Sequence, residues 1–425
     1  MNNWPKILIV SGYEILEAPD ATSITIRSLL KDWPQDRLCE IYCGMYENDA
    51  LISPQRSNRL NLSVNDVKHG DLLSKLRTEK TKVQKDNQIN ELVLVTTQNL
   101  KERIKQKLKF LFSATADMFP YQTRKLHRFI TAHNPDVVYV IPYGKRILDL
   151  TLYLQKTYDI PVITHLMDDW PTTIYRDSST TLLQRKLTLR QFNTLMTASK
   201  SVFVISDAMK KEYEQRYPRV RFSVFMNSPQ IELKPVSIAP EVKKVVCIGS
   251  LHLNRWQSLL EFCRTISDHK LNLTIDIYSA DWSRLKHHFT EFSFVQSKEV
   301  LLPEQMNSAL EGYDALLFLE SFDPGVRQYT RFSVSTKIPE YLGAQKPIIA
   351  IGPSDIASIL YLKKNKAAYV LDETNLAQWN DILSISLNDQ SHLETTLHHA
   401  KDLFRRNHNA DTIRADFFKA VQNVI

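Results

Sequence analysis

Short continuous apolar runs that end in glycine recur along this chain and leave few folds open to it. Lys6-Ile7-Leu8-Ile9-Val10-Ser11-Gly12 is hydrophobic throughout, not alternating, which is the pattern of a strand covered on both faces. A helical period follows at Ile24, Ile26, Leu29 and Leu30, and Leu38–Gly44 reads as the next strand. After a helix that runs to about His133, apolar runs at 137–142, 161–167, 201–206 and 222–227 alternate with helical stretches from about Gly144, at 180–198 and at 207–217. Such alternation predicts an α/β chain, with parallel sheets and helices on both faces.

The pattern then starts again. Residues 228–243 carry three prolines and no clear period, so 231–243 reads as a linker. Val245-Val246-Cys247-Ile248-Gly249-Ser250 repeats the apolar-run-then-glycine ending, and 273–278, 314–319, 348–352 and 368–371 are further strands. Helices start near Trp256 and at Pro303-Glu304-Gln305-Met306. At 425 residues the chain exceeds one ordinary core and fits two domains of roughly 200 residues each. The expected division is 1–230, the linker 231–243, and 244–425, with the last helix free to cross back to the first domain. Two doubly wound, Rossmann-like domains facing across a cleft is the architecture this implies. Gly12, Gly249 and Gly352 each end an apolar strand, where the ligand crevice of an open α/β sheet lies.

Composition narrows the function. No apolar run approaches the roughly 20 residues that span a bilayer, and Met-Asn-Asn-Trp-Pro-Lys enters a strand-like run with no signal-peptide pattern. Cys39, Cys43, Cys247 and Cys263 have no metal spacing and fit buried thiols of a reducing, cytoplasmic compartment. A net charge of +7 suits an anionic partner. The basic residues of 75–109 lack interleaved aromatics, which disfavours nucleic acid. In 100–112, Leu100, Ile104, Leu108 and Leu111 share a helical face amid lysines. Such a helix packs on a core or lies on an anionic membrane surface, giving peripheral attachment at the inner face of a membrane. The opening strand–helix–strand lacks a Gly-x-Gly-x-x-Gly fingerprint, and no dinucleotide site is inferred.

The chemistry concentrates in Ser335-Thr336-Lys337-Ile338-Pro339-Glu340-Tyr341-Leu342-Gly343-Ala344-Gln345-Lys346-Pro347. Pro339 fits near a helix start. Ser335 or Thr336 is suited to the N-cap and Gly343 to the reversal at the C-terminus. Hydroxyls and a lysine at the positive end of a short helix suit an oxyanion such as phosphate. Glu340, one turn in, has a carboxylate that accepts both hydrogens of a vicinal diol. The alternative is a surface helix with a Lys-Glu pair three residues apart. In the first half, His165-Leu166-Met167-Asp168-Asp169-Trp170-Pro171 ends a strand. Asp168 or Asp169 could orient an acceptor hydroxyl or a sugar, or could form a turn capping the next helix. A paired-carboxylate metal site is a weaker option. His165 is a candidate base or a satisfied core histidine.

The order of these signals resembles the GT-B glycosyltransferases, particularly the large retaining family 4. The carriers are the strand-Gly249 element with the basic Arg255, the Asp314–Leu319 strand, and Lys337-x-x-Glu340-Tyr-Leu-x-x-x-Lys346-Pro347-Ile348. In the first half they are Ser199–Met209 and the strand-terminal Asn227. The resemblance implies a metal-independent, retaining hexosyltransferase that moves a sugar from a nucleoside-diphosphate sugar to an acceptor hydroxyl, with no cofactor. Surface polysaccharide or glycolipid biosynthesis, with a saccharide or lipid-linked acceptor, is the implied setting. Glu340 would bind the ribose hydroxyls, and Ser335, Thr336 and Lys337 the diphosphate. Arg255 would neutralise the leaving group beside Gly249 and Ser250, and Gly12 would allow close backbone approach to the donor.

One position departs from the family. A second glutamate commonly precedes the first by eight residues, and here Phe332 stands there. Glu320, Asp323, Arg327 and Arg331 are the candidates to replace it. The departure keeps a rival open, a non-catalytic GT-B-fold scaffold or binding protein of a polysaccharide assembly complex. A GT-B-like sugar-nucleotide epimerase would need carboxylates that the sequence does not place.

Overall fold

A computed structural model of the chain describes residues 4–43, 57–62, 124–176, 181–236, 239, 241–301 and 305–425. Gly44, the basic clusters of 75–109, the segment 100–112 and the expected helix start Pro303-Glu304 lie outside the described residues. The chain divides into two compact units, Met1–Phe225 with Arg414–Ile425, and Met226–Ile413.

The first unit holds a seven-stranded sheet. Its strands are β1 (Ile7–Ser11), β2 (Leu38–Tyr42), β3 (Arg59–Asn61), β4 (Val137–Val140), β5 (Val162–Leu166), β6 (Ser201–Val204) and β7 (Phe222–Val224). They lie in the order β3-β2-β1-β4-β5-β6-β7, and every pairing is parallel. The central strands β1, β4, β5 and β6 are buried along their whole length, as their unbroken apolar runs require. Strand order reverses at β1, so the crevice of an open sheet opens at its C-terminal end, where Gly12 follows. Helix starts are set by short polar side chains. Asp20 accepts from the Ser23 amide at 3.1 Å, and Ser206 from the Met209 amide at 3.0 Å.

The second unit repeats the plan with six strands: β8 (Lys244–Ile248), β9 (Thr274–Tyr278), β10 (Val295–Lys298), β11 (Ala315–Leu319), β12 (Ile348–Ile351) and β13 (Tyr369–Leu371). Their order is β10-β9-β8-β11-β12-β13, again all parallel. The reversal falls at β8, and Gly249 follows it. Val245, Cys247, Ile275, Ile277, Leu317, Ile349 and Leu371 join Leu259, Phe262 and Cys263 of the helix Arg255–Asp268 in one core. The α/β architecture expected from the alternating runs is therefore present twice.

Two strands had no counterpart in the sequence reading, and both are sheet edges. β3 is three residues long with one of them buried, and β10 has no fully buried residue. An edge strand has one neighbour and much solvent, so it needs no apolar run.

Residues 414–425 complete the first unit. Phe417 is fully buried in a cluster of edge-to-face rings, with centroids 5.3 Å from Phe225, 5.7 Å from Phe203, 5.9 Å from Tyr139 and 6.1 Å from Trp33. Arg414 donates from Nε to the Ser28 carbonyl at 2.9 Å. This C-terminal segment is part of the first unit's core, not a tail. Phe417→Ala should lower the unfolding free energy by about 3–5 kcal/mol, as removal of a buried aromatic ring does. Chemical denaturation followed by tryptophan fluorescence checks this, since Trp33 reports on the same cluster; an unchanged midpoint would contradict it.

Candidate functional site

The stretch 335–352 forms a loop, the helix Lys337–Gly343 and β12. Thr336 occupies the N-cap position but makes no side-chain cap. Ser335 accepts from the Lys337 amide instead, at 3.4 Å. Ile338, Pro339, Tyr341, Leu342 and Gly343 face inward, which leaves Lys337 and Glu340 on the more open side. Gly343 does not make the reversal expected of it. Gln345, with φ of 54°, supplies the left-handed residue. A Cβ on Gly343 would come within 2.8 Å of Ile231 Cγ2 and 3.3 Å of Phe404 Cε2, so this glycine admits close packing.

Lys337 and Gly249 are brought together across 88 residues of sequence. Gly249 has φ of 105°, and a methyl group there would overlap Nζ and Cε of Lys337. The missing side chain is thus the space through which the lysine runs over the end of β8. Among the described residues, no carboxylate or carbonyl pairs with the Lys337 ammonium. Burial, followed by the Arg255 guanidinium, pulls its pKa below the ordinary lysine range; Cys247, Glu320 and Glu340 oppose this. An ammonium in such surroundings has the chemistry to attract an anion.

Arg255 opens the helix Arg255–Asp268, following the left-handed residues Leu253 and Asn254. Its Nε and Nη2 donate to Glu320 Oε2 at 3.2 and 3.1 Å. Glu340 is half-buried, and burial raises its pKa to about 7 against the lowering effect of Lys337. Among the described residues its carboxylate has no protein donor. Lys337, Arg255, Glu340 and Gly249 therefore form one constellation at the C-terminal end of β8. Ser250 lies next to it, but its hydroxyl is engaged in the loop, donating to Asp281 Oδ2 at 3.2 Å and accepting from the His252 amide at 3.0 Å.

A second layer holds the loop before Lys337. Asn227 Nδ2 donates to the Thr336 carbonyl at 3.0 Å. The Asn227 carbonyl accepts from His408 Nδ1 at 3.2 Å, and His408 Nε2 accepts from the Tyr361 hydroxyl at 2.9 Å. Burial holds the His408 pKa down to about 4, so it stays neutral and keeps this tautomer. His408 was not among the sequence candidates, because nothing local links positions 227, 336, 361 and 408.

The first-unit candidates divide differently. His165 is fully buried, bonded through Nδ1 to the Tyr139 hydroxyl, and burial drives its pKa down to about 3. That is the core-histidine alternative; a base sealed from solvent and neutral at every working pH has no access to a substrate proton. Asp169 is also fully buried and accepts from the Tyr213 hydroxyl at 2.8 Å, with Arg216 at 3.8 Å. Asp168 accepts from the Trp170 amide at 3.0 Å, the turn-capping alternative. Gly12 has nothing within 4 Å of the place where a Cβ would stand, so it borders open space. Of the replacements for the glutamate missing at Phe332, Asp323 caps the helix Pro324–Thr330 through the Gly325 and Val326 amides. Arg327 pairs with Asp355 and Glu373, Arg331 stacks on the Phe332 ring, and Glu320 holds Arg255. No group of three or more metal-ligating side chains occurs among the described residues. No helix among them is long and apolar enough to cross a membrane.

No protein-family model matches the chain, and no curated protein matches it by sequence. Solved structures do. HepE from Anabaena in complex with UDP shares 14% identity at a TM-score of 0.62, covering 98% of this chain and 100% of the other. The UDP-glucose complex of HepE gives 13% and 0.60, over 98% and 99%. Sucrose-phosphate synthase from Thermosynechococcus elongatus gives 9% and 0.62, over 98% of each chain. A glycosyltransferase from Rickettsia africae gives 12% and 0.55, over 99% of each. The chain has the GT-B fold.

The Glu340 shift has a sign that can be measured without ligand. Its folded-state pKa lies above the unfolded value of about 4.5, so its contribution to stability is greatest at low pH. That contribution is lost as pH rises from about 4.5 through 7. Glu340→Gln should therefore stabilise the protein at pH 8, by on the order of 2–3 kcal/mol, and leave it nearly unchanged at pH 5. Denaturant unfolding at the two pH values checks this; an equal effect at both would contradict the burial of this carboxylate.

Proposed function

We propose that this protein is a glycosyltransferase that moves a sugar from a nucleoside-diphosphate sugar to an acceptor hydroxyl. The observation that carries this reading is the Lys337 ammonium, laid over Gly249 beside Arg255 and without an acceptor of its own among the described residues. Glu340 stands three residues further along the same helix. Two fixed cations and a free carboxylate match the two polar parts of a nucleoside diphosphate, its phosphates and its ribose diol. The GT-B fold agrees with that assignment, and HepE in its UDP and UDP-glucose complexes makes uridine the first base to test.

In this reading the bond that breaks joins the anomeric carbon to the diphosphate, and charge grows on the departing oxygen. Lys337 and Arg255 stabilise that charge more in the transition state than in the ground state, and, being already in place, they need no reorganisation. The acceptor oxygen forms the new bond to the anomeric carbon and gives up its proton. Retention of configuration, independence of metal, and a saccharide or lipid-linked acceptor in surface polysaccharide or glycolipid synthesis complete the proposal. The basic segment 100–112 would hold the enzyme at an anionic lipid surface.

The test is a thermal-shift and calorimetric panel of UDP, GDP, ADP, their nucleosides and UDP-glucose. At least one diphosphate should stabilise the protein. Lys337→Ala should weaken that diphosphate by about 10- to 100-fold, the worth of one or two charge-assisted hydrogen bonds, and change nucleoside binding by less than about twofold. Glu340→Ala should weaken both ligands. No stabilisation by any diphosphate, or binding that neither substitution changes, would overturn the reading and favour a non-catalytic scaffold.

A further inference from the structure

We propose that Glu320 is a positioning residue: it fixes the Arg255 guanidinium beside Lys337, so that the two cations present one seat to a diphosphate. The inference rests on the nucleotide-sugar reading above and adds a residue to it.

Glu320 directly follows β11, and its side chain is 3% exposed against 20% for Arg255. It is therefore placed to touch the arginine and not the ligand. One oxygen, Oε2, takes both Nε and Nη2 of Arg255. That consumes one edge of the guanidinium and fixes its plane, leaving Nη1 on the other side. The same residue grips the arginine's helix a second time, since the Ser258 hydroxyl donates to the Glu320 carbonyl at 2.6 Å. Its own backbone amide donates to the Ile351 carbonyl at the end of β12 at 2.7 Å. The packing around it is tight. A Cβ on Gly352 would lie 2.7 Å from Glu320 Cβ, so glycine at the end of β12 is what admits Glu320 here.

A buried carboxylate is costly unless it is paired and hydrogen-bonded. Two like charges side by side are costly as well, and Arg255 depresses the Lys337 pKa. Glu320 answers both problems: it pairs with Arg255, and its charge opposes the lowering of the Lys337 pKa without bonding the ammonium. The groups facing the Lys337 ammonium are Arg255 from its helix, Cys247 from β8, Glu320 after β11 and Glu340 on the lysine's own helix. Of these, Glu320 and Arg255 are bonded to each other.

The experiment is a double-mutant cycle on binding, read by titration calorimetry. The ligands are whichever of UDP, GDP and ADP stabilises the parent most, and the matching nucleoside. Glu320→Gln should weaken the diphosphate about tenfold, as loss of a charge-assisted pair does, and leave the nucleoside within about twofold. Once Arg255→Met is present, adding Glu320→Gln should change diphosphate binding by less than about twofold, because the residue through which it acts is gone. Gly352→Ala, which displaces Glu320 without removing its charge, should reproduce the loss, and decides the matter if Glu320→Gln does not fold. Equal losses for diphosphate and nucleoside, a loss that persists without Arg255, or no loss at all would overturn the proposal. If the parent binds none of the diphosphates, the functional reading falls and this inference with it. If the parent binds and the cycle shows no coupling, only the inference falls.

Discussion

A lysine ammonium threaded over a glycine is the contact on which the proposed nucleotide-sugar site depends. Gly249 has no side chain and a left-handed φ, and Lys337 occupies the space that a Cβ would need. The cation is thereby held at the end of β8, where strand order reverses and an open sheet collects its ligands. Arg255, placed by the next helix, adds a second positive charge. Two partly buried cations side by side favour the approach of a negative group. Glu320 pairs with Arg255, and the Lys337 ammonium has no hydrogen-bonded acceptor among the described residues.

The surrounding structure serves to keep that arrangement rigid. Asn227, His408 and Tyr361 tie the carbonyl before Lys337 to the helices at the end of the unit. Tyr341, on the same helix as Lys337, puts its hydroxyl 3.3 Å from the Ile248 amide at the end of β8. Gly343 and Gly352 let neighbouring elements approach closely enough to make this possible. Preorganisation of this kind separates a site that stabilises developing charge from one that merely attracts anions.

Much of this was legible in the sequence because the buried strands of parallel sheets are apolar on both faces and declare themselves as runs. The glycines after β1 and β8 stand where strand order reverses in each sheet, and Lys337, Arg255 and Glu340 are legible as one motif pattern. What stayed hidden depends on distance along the chain. Edge strands β3 and β10 carry no apolar run. Asp169 looked like a chemical candidate until its partner Tyr213, 44 positions on, made it a buried lock within the first unit. His165 stands in a strand whose every residue is buried, which the run around it implied but its own chemistry obscured. Gly343 was assigned to a turn that Gln345 makes. Glu320 reads in the sequence as a candidate sugar-facing group, and its contact with Arg255, 65 positions away, is what no local pattern announces.

A crystal structure with UDP bound tests the proposed site most directly. The diphosphate should lie within hydrogen-bond distance of Lys337 Nζ and the free edge of Arg255, next to the Gly249 backbone, with both ribose hydroxyls on the Glu340 carboxylate. A nucleotide bound elsewhere, or one whose phosphates avoid Lys337 while its ribose turns away from Glu340, would contradict it.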